Sequence, residues 1–426
     1  MTRQKIANGF LMAALFLLPW QTILLYRLIA LPEGATVYGN LGVYVTEILI
    51  AIAFFVRGRP LANPVFLKII RALFVFFAAC FLSLTYSHTF AVSLGWLSHF
   101  VAGGMLFLLL LDDRTNIPQT VHVFLAGLIL PCILGWMQYI TGFSPALTVL
   151  GLAQKHVETS GVAVVATDAF RSLRAYGPFP HPNIFGGYLA VAILLKGWKG
   201  RTGLKSLKGW RGWVQIAMIA LFTSTLILTF SRGAWLALTI GLVVFLGQAL
   251  FYKKLVPHRA IPLLSIGLLT ILLSIGMLQS HVLARFNPAL HVEAISLEER
   301  ASQYQTFPSV FKIDPLFGVG PGAYVFALES LSKGEPAWSY QPIHNAFLLL
   351  IAELGVVAFL AFGYFLFEIG RLMAKYRKTT GGIFAATLLL ELLVLSLFDH
   401  YLFSMWSGIA LTTVVFAISL RLAIES

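Results

Sequence analysis

The stretch GGIFAATLLLELLVLSLFD, residues 381–399, decides the class of fold that this chain adopts. It is apolar almost without interruption, and a helix of about 20 such residues crosses a hydrocarbon core roughly 30 Å thick. Because lipid offers the backbone no hydrogen-bond partners, a spanning segment must be a helix or a strand of a closed barrel. A continuous apolar run, rather than an alternating one, favours the helix.

Comparable segments recur along the 426 residues, of which 58% are hydrophobic and only 11% charged. They predict an all-α integral membrane protein that forms a single polytopic membrane domain over residues 1–426. We expect about twelve transmembrane helices, near 10–31, 40–56, 66–86, 90–111, 120–142, 183–197, 213–230, 233–251, 261–279, 344–369, 381–399 and 401–421. The first segment is followed by no small-residue cleavage site, so we interpret it as a retained span rather than a signal peptide.

The net charge of +13 follows this topology. With a cytoplasmic N-terminus, most of the 30 basic residues fall in predicted cytoplasmic segments, as the positive-inside rule requires. Two of these segments contain Arg201, Lys205, Lys208, Lys253, Lys254 and Arg259. The pattern predicts that both termini are cytoplasmic, and it accounts for the positive charge without any binding of nucleic acid.

Two of the predicted exterior loops are long, at 143–182 and, between helices 9 and 10, at 280–343. Long loops in a compact protein are commonly functional. Within the second loop, ISLEERASQYQTFPSVFK (295–312) predicts a helix lying on the membrane, so we expect this loop to be partly helical. GVGPGAY (318–324) lacks the lysine of a phosphate-binding loop, and we interpret it as a turn.

Two exterior arginines are the first candidates for a binding site. RAYGPFPHPNIFGGYLA (174–190) begins with Arg174 and runs through three prolines into a helix, and FSRGAW (230–235) places Ser231 and Arg232 in a tight turn. The positive-inside rule disfavours arginine on this side, although an arginine can also extend to lipid headgroups. Because a planar guanidinium binds two phosphate oxygens at once, the pair suggests a diphosphate site.

His344 is the candidate base. In QPIHNAFLLLIAELGV (341–356) it lies at the outer start of a predicted helix, with Asn345 as a possible cap. A neutral imidazole near the two arginines could deprotonate an attacking hydroxyl, although a polar residue at a helix start also fits a structural role. We expect His181 to shape the proline-rich turn. The pair Asp399–His400 is a second, weaker candidate for base or acceptor contacts.

Three acidic residues, Glu47, Glu353 and Glu391, lie within predicted spans, where a charge costs roughly 2.5–3.5 kcal/mol or more. Each is therefore a candidate functional residue, and buried hydrogen bonding is the alternative that we favour. No metal site is predicted, because the other exterior histidines show no metal-ligand spacing with one another. These histidines are His156, His281 and His291.

In this order, the three exterior motifs resemble the O-antigen ligase/polymerase superfamily of bacterial membrane glycosyltransferases. GPFPHPNIFGGYLA (177–190) is similar to the Gly-x-Phe-x-x-Pro-Asn segment of that family, and SRGAWLAL (231–238) is similar to its Ser-Arg-Gly turn. DPLFGVGPGAY (314–324) and HNAFLLLIAELGV (344–356) are similar to the signature of its large loop. The resemblance covers about residues 171–360, and His181 with its extra proline departs from the pattern.

The resemblance implies a GT-C-like glycosyltransferase of the bacterial inner membrane with a periplasmic active site. The implied reaction completes lipopolysaccharide: a glycan passes with inversion, and without metal or cofactor, from undecaprenyl diphosphate to a hydroxyl of lipid A-core. Arg174 and Arg232 would bind the diphosphate, and His344 would activate the acceptor hydroxyl. The supporting candidates are Asn183, Ser231, Asn345, Arg300 and His181.

Other functions stay open at this point. A polymerase of O-antigen or exopolysaccharide shares the donor and the motifs, and so does a protein O-oligosaccharyltransferase. The length of 426 residues without an added soluble domain favours the ligase over the last of these. A transporter of lipid-linked glycans is the non-enzymatic alternative, but transporters place their key residues near the bilayer midplane, whereas the arginines and His344 are predicted at one face.

Overall fold

Helices make up most of the fold in the computed structural model, which describes residues 3–167, 169–199, 209–251 and 261–425. They are α1 (Arg3–Leu17), α2 (Val45–Arg57), α3 (Leu67–Thr85), α4 (Phe90–Leu111), α5 (Ile117–Gly127), α6 (Ile129–Thr141), α7 (Pro182–Lys199), α8 (Gly209–Leu228), α9 (Arg232–Phe251), α10 (Ile261–Met277), α11 (Gln279–Ala284), α12 (His291–Phe311), α13 (Tyr324–Leu331), α14 (Ala346–Tyr376), α15 (Thr380–Phe398), α16 (Tyr401–Ser404) and α17 (Trp406–Ile424). The predicted cytoplasmic residues Arg201, Lys205, Lys208, Lys253, Lys254 and Arg259 lie outside the described residues.

Seven of the described helical segments are long and apolar enough to cross a membrane. They are α3 with the turn before it, α4, the consecutive pair α5 and α6, α8, α14, α15 and α17. Helices α9 and α10 contain shorter apolar stretches, Arg232–Gln248 and Ser265–Met277. These helices confirm a multi-pass helical membrane protein and the positions of seven predicted spans. The full number of twelve stays a prediction.

The N-terminal region differs from the prediction. Helix α1 ends at Leu17, two residues before Pro19, which has no N–H to donate to a helix. Strand β1 (Ile23–Leu28) then pairs antiparallel with β2 (Asn40–Tyr44), so that backbone groups are satisfied by a hairpin. The predicted helix over 10–31 is therefore wrong beyond residue 17, and Arg27 lies in a strand. The predicted helix over 40–56 begins only at Val45 as α2.

The two long predicted loops contain secondary structure of their own. In 143–182, β3 (Phe143–Ser144) pairs with β4 (Lys155–His156), and β5 (Val164–Ala166) pairs with β6 (Arg171–Leu173). The loop 280–343 contains most of α11 and the whole of α12 and α13, so it is partly helical. Helix α12 is almost without an apolar face, since only three of its side chains, Glu293, Gln303 and Val310, are buried. Two of these three are polar, so α12 directs polar side chains into the interior of the protein.

Helix α17 lies at the centre of the bundle, where it packs against α4, α7, α14, α15 and α16. In the membrane-spanning part of α17 83% of the residues are buried, against 28% in that of α3, so α17 is central and α3 is peripheral. The indole N–H of Trp406 donates to Thr46 Oγ1 at 2.8 Å, and the hydroxyl of Tyr188 donates to the Ser407 carbonyl at 2.6 Å. These bonds fix the start of α17, and with it the preceding connection that carries Asp399 and His400.

The turn 318–324 packs against a kink in α14. Gly355 has a φ of 73°, and a Cβ atom there would lie 2.2 Å from the carbonyl oxygen of Leu316, so the position requires glycine. The Glu353 carboxylate accepts hydrogen bonds from the backbone N–H groups of Gly322, at 2.9 Å, and Tyr324, at 3.3 Å. The kink and the turn together hold the long loop against the outer end of α14.

Candidate active site

Arg174 is buried at the end of β6, with 5% of its surface exposed. Its Nε donates to the Thr229 carbonyl at 2.7 Å, and its NH2 group donates to Asn183 Oδ1 at 2.7 Å. None of the ion pairs among the described residues includes Arg174. Burial, reinforced by the positive charge of Arg285, lowers the pKa of this guanidinium. A buried cation without a paired carboxylate is suited to attract an anion.

The proline-rich turn after Arg174 is fixed by Gln138 of α6. The Gln138 Oε1 atom accepts from the backbone N–H groups of Tyr176, at 3.0 Å, and Gly177, at 2.8 Å. Its Nε2 donates to the Gly177 carbonyl at 2.9 Å. The fully buried Gln138 amide thus satisfies a turn that has no regular partner. This role was not predicted, because the partners of Gln138 lie in a segment about 40 residues further along the chain.

Asn183, in the first turn of α7, connects Arg174 to Asp399. Its Oδ1 accepts from Arg174, and its Nδ2 donates to Asp399 Oδ2 at 2.8 Å. The backbone N–H of Asn183 donates to His181 Nδ1 at 3.2 Å, so His181 supports the start of α7. Burial, reinforced by the charge of Arg174, lowers the pKa of His181 to about 3. His181 is therefore neutral over the physiological range.

Arg232 is the first residue of α9, and it lies in an ion-pair cluster rather than alone. Its NH1 group donates to the Arg285 carbonyl at 2.9 Å and lies 3.3 Å from Glu293 Oε2. Arg285 in turn contacts Glu293 Oε1 and donates through Nε to the Phe230 carbonyl at 3.2 Å. Ser231 caps α9, since its Oγ accepts from the Ala234 N–H at 3.4 Å.

Ser231, Arg232 and Arg285 line a cavity of about 250 Å³. Its lining contains three arginines, Arg232, Arg285 and Arg300, together with Asn183 and the start of α9. Arg174 adjoins the cavity through Asn183. Glu293 pairs with Arg232 and Arg285, and the Asp399 carboxylate also lines the cavity. Three arginines against these two carboxylates leave an excess of positive charge. Such a site is suited to an anion with several oxygens.

His344 lies beside this cavity, next to Asp399 and His400. The rings of His344 and His400 are 5.1 Å apart between centroids and inclined at 75°. Burial lowers the pKa of His344, and it lowers that of His400 to about 4. Asp399 opposes both shifts with its negative charge. Asn345 caps α14, because its Oδ1 accepts from the N–H groups of Phe347, at 3.0 Å, and Leu348, at 3.1 Å.

The same three residues are the described group that could hold a metal ion, since one ligand atom from each lies within 4.8 Å of the others. Protein partners already occupy much of the cluster. Both Asp399 oxygens accept N–H groups, from Asn183 at 2.8 Å and from the His400 backbone at 2.8 Å. The charge of Arg300 also acts on His344 and disfavours a further cation.

A second cavity, of about 320 Å³, is almost entirely apolar. Leu392 and Ser396 of α15 line this cavity, whereas Leu395 and Phe398, on another face of the same helix, line the cationic cavity. The lining of the apolar cavity includes Ala346 and Leu402, two residues after His344 and His400 respectively. Hydrocarbon chains therefore have a concave surface that adjoins the histidines.

The acidic residues predicted within spans have different surroundings. Glu47 accepts from the Tyr44 N–H at 2.7 Å and contacts His99 Nδ1 at 2.6 Å, and Glu353 binds the turn described above. Both are therefore engaged in buried hydrogen bonds. Glu391 is fully buried, and neither of its oxygens has a hydrogen-bond partner among the described residues.

The structure thus brings together most of the predicted site. The sequence reasoning missed Arg285, Glu293 and Gln303, and it underrated Asp399. Arg285 carried the same signal as Arg232, an arginine on the predicted exterior side. Glu293 and Gln303 carried none, because a charged or polar residue in a long polar loop is ordinary.

The fold and the site define a multi-pass helical membrane protein in which a buried cationic cavity adjoins a histidine–aspartate cluster. Residues 216–363 match the family model described as O-antigen ligase, and this match confirms the resemblance to the O-antigen ligase/polymerase superfamily. The matched part extends from α8 into α14 and includes Arg232, Arg300 and His344. It supports an activity of the O-antigen ligase or polymerase type in a bacterial membrane protein. No curated protein matches the chain.

Proposed function

We propose that the chain is an O-antigen ligase that transfers a glycan from undecaprenyl diphosphate to a hydroxyl of lipid A-core at the periplasmic face. One observation carries the proposal: Asp399 lines the cationic cavity and belongs to the cluster of His344, Asp399 and His400, so the cavity and the cluster adjoin. An anion site adjoining a neutral base suits transfer from a diphosphate, because the first stabilises the leaving group and the second activates the acceptor.

The diphosphate belongs in the cavity formed by Arg232, Arg285 and Arg300. The N-terminus of α9 also lies there, and a helix N-terminus favours negative charge. As the bond between the anomeric carbon and the phosphate oxygen breaks, its electron pair stays on the diphosphate. Fixed guanidinium groups in a site screened from water stabilise that developing charge. A diphosphate held in this way needs no acid to leave.

His344 is the group that accepts the proton of the acceptor hydroxyl. Its pKa is lowered by burial, so the imidazole is neutral at physiological pH and has a free nitrogen lone pair. The acceptor oxygen forms its new bond to the anomeric carbon on the side opposite the diphosphate, which inverts the configuration. The negative charge of Asp399 stabilises the imidazolium that results.

The apolar cavity supports a lipid-borne substrate. It adjoins the histidines and accepts hydrocarbon, while the cationic cavity accepts the charged group. A transporter is less well supported, because its site would be formed by interrupted helices in repeated halves of the chain, whereas Arg232 begins α9 and His344 precedes α14 after a long loop.

Transfer by the purified protein in lipid nanodiscs tests the proposal, with undecaprenyl-diphosphate glycan as donor and lipid A-core as acceptor. We expect Arg174→Ala, Arg232→Ala and His344→Ala each to lower the rate at least 100-fold. Arg171→Ala is the matched control, since Arg171 begins β6, the strand that ends directly before Arg174, and is exposed. Survival of transfer in all three variants would refute the roles assigned here.

Two further arms of the assay address the chemistry and the acceptor. EDTA should leave the rate unchanged, and a loss that Mg²⁺ restores would overturn the metal-independent mechanism. Elongation of the donor glycan without transfer to lipid A-core would assign the chain to the polymerases instead.

A further inference from the structure

Gln303 of α12 makes two hydrogen bonds to one residue, His344. It is buried, with 8% of its surface exposed. Its Oε1 lies 2.7 Å from His344 Nδ1 and also accepts from the backbone N–H of His344 at 3.2 Å. The two residues are 41 positions apart in sequence, so the contact ties the long loop to the start of α14.

The backbone contact decides which atom of the Gln303 amide faces the histidine. A backbone N–H can only donate, so the amide atom that it meets must be the oxygen and not the NH2 group. That oxygen can only accept, and therefore the ring atom that it meets, Nδ1, carries a proton. In a neutral imidazole the lone pair is then on Nε2.

We propose that Gln303 is a positioning residue for glycan transfer: it holds His344 in the tautomer that leaves Nε2 free to take the proton of the acceptor hydroxyl. The inference rests on the proposed function, since it needs His344 as the base. The two hydrogen bonds act differently. The bond to the backbone places the segment, whereas the bond to the ring selects the tautomer and the orientation of the imidazole.

A neutral amide at this position also sets the basicity of His344. The charged and titratable groups that act on His344 are Asp399, Arg300 and two histidines, His181 and His400, the last at 5.1 Å between ring centroids. Asp399 favours the protonated ring and Arg300 disfavours it. A glutamate at position 303 would add a second negative charge in direct contact and raise the pKa of His344. Glutamine orients the ring without that charge.

Two substitutions separate orientation from structure. Gln303→Met keeps the length of the side chain and removes the acceptor, so kcat should fall about 10-fold or more, as part of the 10²–10⁴-fold that a base contributes. The KM for the donor should stay unchanged, because the diphosphate site is intact. Gln303→Glu keeps the acceptor for both N–H groups. It should recover most of the wild-type kcat at high pH, with the acid limb of the pH profile moved upwards by about one pH unit.

Gln305→Met is the matched control, since Gln305 lies on the same helix and is exposed. A readout without substrate completes the design: diethyl pyrocarbonate modifies the neutral imidazole, and mass spectrometry follows the peptide that contains His344. The pH midpoint of modification should be higher in Gln303→Glu than in the wild type.

A wild-type kcat and an unmoved pH profile in both Gln303 variants would overturn the inference. An inactive His344→Ala with normal Gln303 variants would remove this role and leave the proposed function standing. Full activity of His344→Ala would instead remove the base itself.

Discussion

Glu293 is the internal counter-ion of the cationic cavity, and its replacement by glutamine tests that role. Its carboxylate contacts Arg285 and lies 3.3 Å from Arg232. Two unit charges at this separation attract by about 5 kcal/mol at an effective dielectric constant of about 20. The removal of one member of a buried ion pair costs about 3–5 kcal/mol in practice. We therefore expect Glu293→Gln to lower the free energy of unfolding by about 3 kcal/mol or more.

A bound diphosphate should restore part of this loss. Inorganic pyrophosphate serves as the probe, and a ligand present at 100 times its Kd stabilises the folded state by about 2.7 kcal/mol. The variant cavity has one negative charge fewer than the wild type, so pyrophosphate should bind it more tightly. The upward shift of the unfolding temperature should therefore be larger in Glu293→Gln than in the wild type.

Thermal unfolding in detergent, followed by tryptophan fluorescence with and without pyrophosphate, measures both effects. Glu298→Gln is the matched control, because Glu298 lies on the same helix and is exposed. An unfolding temperature of Glu293→Gln equal to that of Glu298→Gln would show that the ion pairs contribute nothing. A smaller shift with pyrophosphate than in the wild type would place the anion elsewhere.

Two other predictions concern the base and the scaffold. Burial lowers the pKa of His344, so at pH 6.5, the ordinary pKa of histidine, kcat/KM should still exceed half of its high-pH value. A fall of kcat/KM to half of that value above pH 6.5 would contradict this. Asp399→Asn should move the acid limb of the pH profile towards acid, and Arg300→Gln should move it towards base, since these charges respectively raise and lower that pKa. Gly355→Ala should destabilise the fold by at least about 1–3 kcal/mol, because Gly355 has a φ of 73°. Gly363→Ala is the control, since Gly363 lies on the same helix with open space at its Cβ position. Equal unfolding temperatures of the two variants would refute the need for glycine at position 355.

The membrane helices were predictable because each apolar run carries its own signal. The stretch 381–399 corresponds to α15 within one residue at each end, although Glu391 interrupts it. The first predicted span failed for a reason that hydropathy does not record. Pro19 follows the end of α1, and the apolar residues after it satisfy their backbone through pairing with β2 rather than through a helix.

The site was predictable only where a residue contradicts its surroundings. Arg174 and Arg232 were found because arginine is disfavoured on the predicted exterior side. Asp399 owes its position to contacts across the fold: Asn183, whose amide it accepts, is 216 residues away. Gln138 and Gln303 act through backbone N–H groups of distant segments, and no local pattern records such partners.

Helix α12 connects the two parts of the site, the cationic cavity and the base His344. Glu293, Arg300 and Gln303 are spaced by seven and three residues, so at 3.6 residues per turn they lie within about 80° of one face. Glu293 pairs with the arginines of the cationic cavity, and Gln303 binds the base. A displacement of α12 would therefore alter the charge of the anion site and the tautomer of His344 together. Val310 and the partly buried Phe307 anchor α12 in the hydrophobic core, and the polar contacts orient it towards the site.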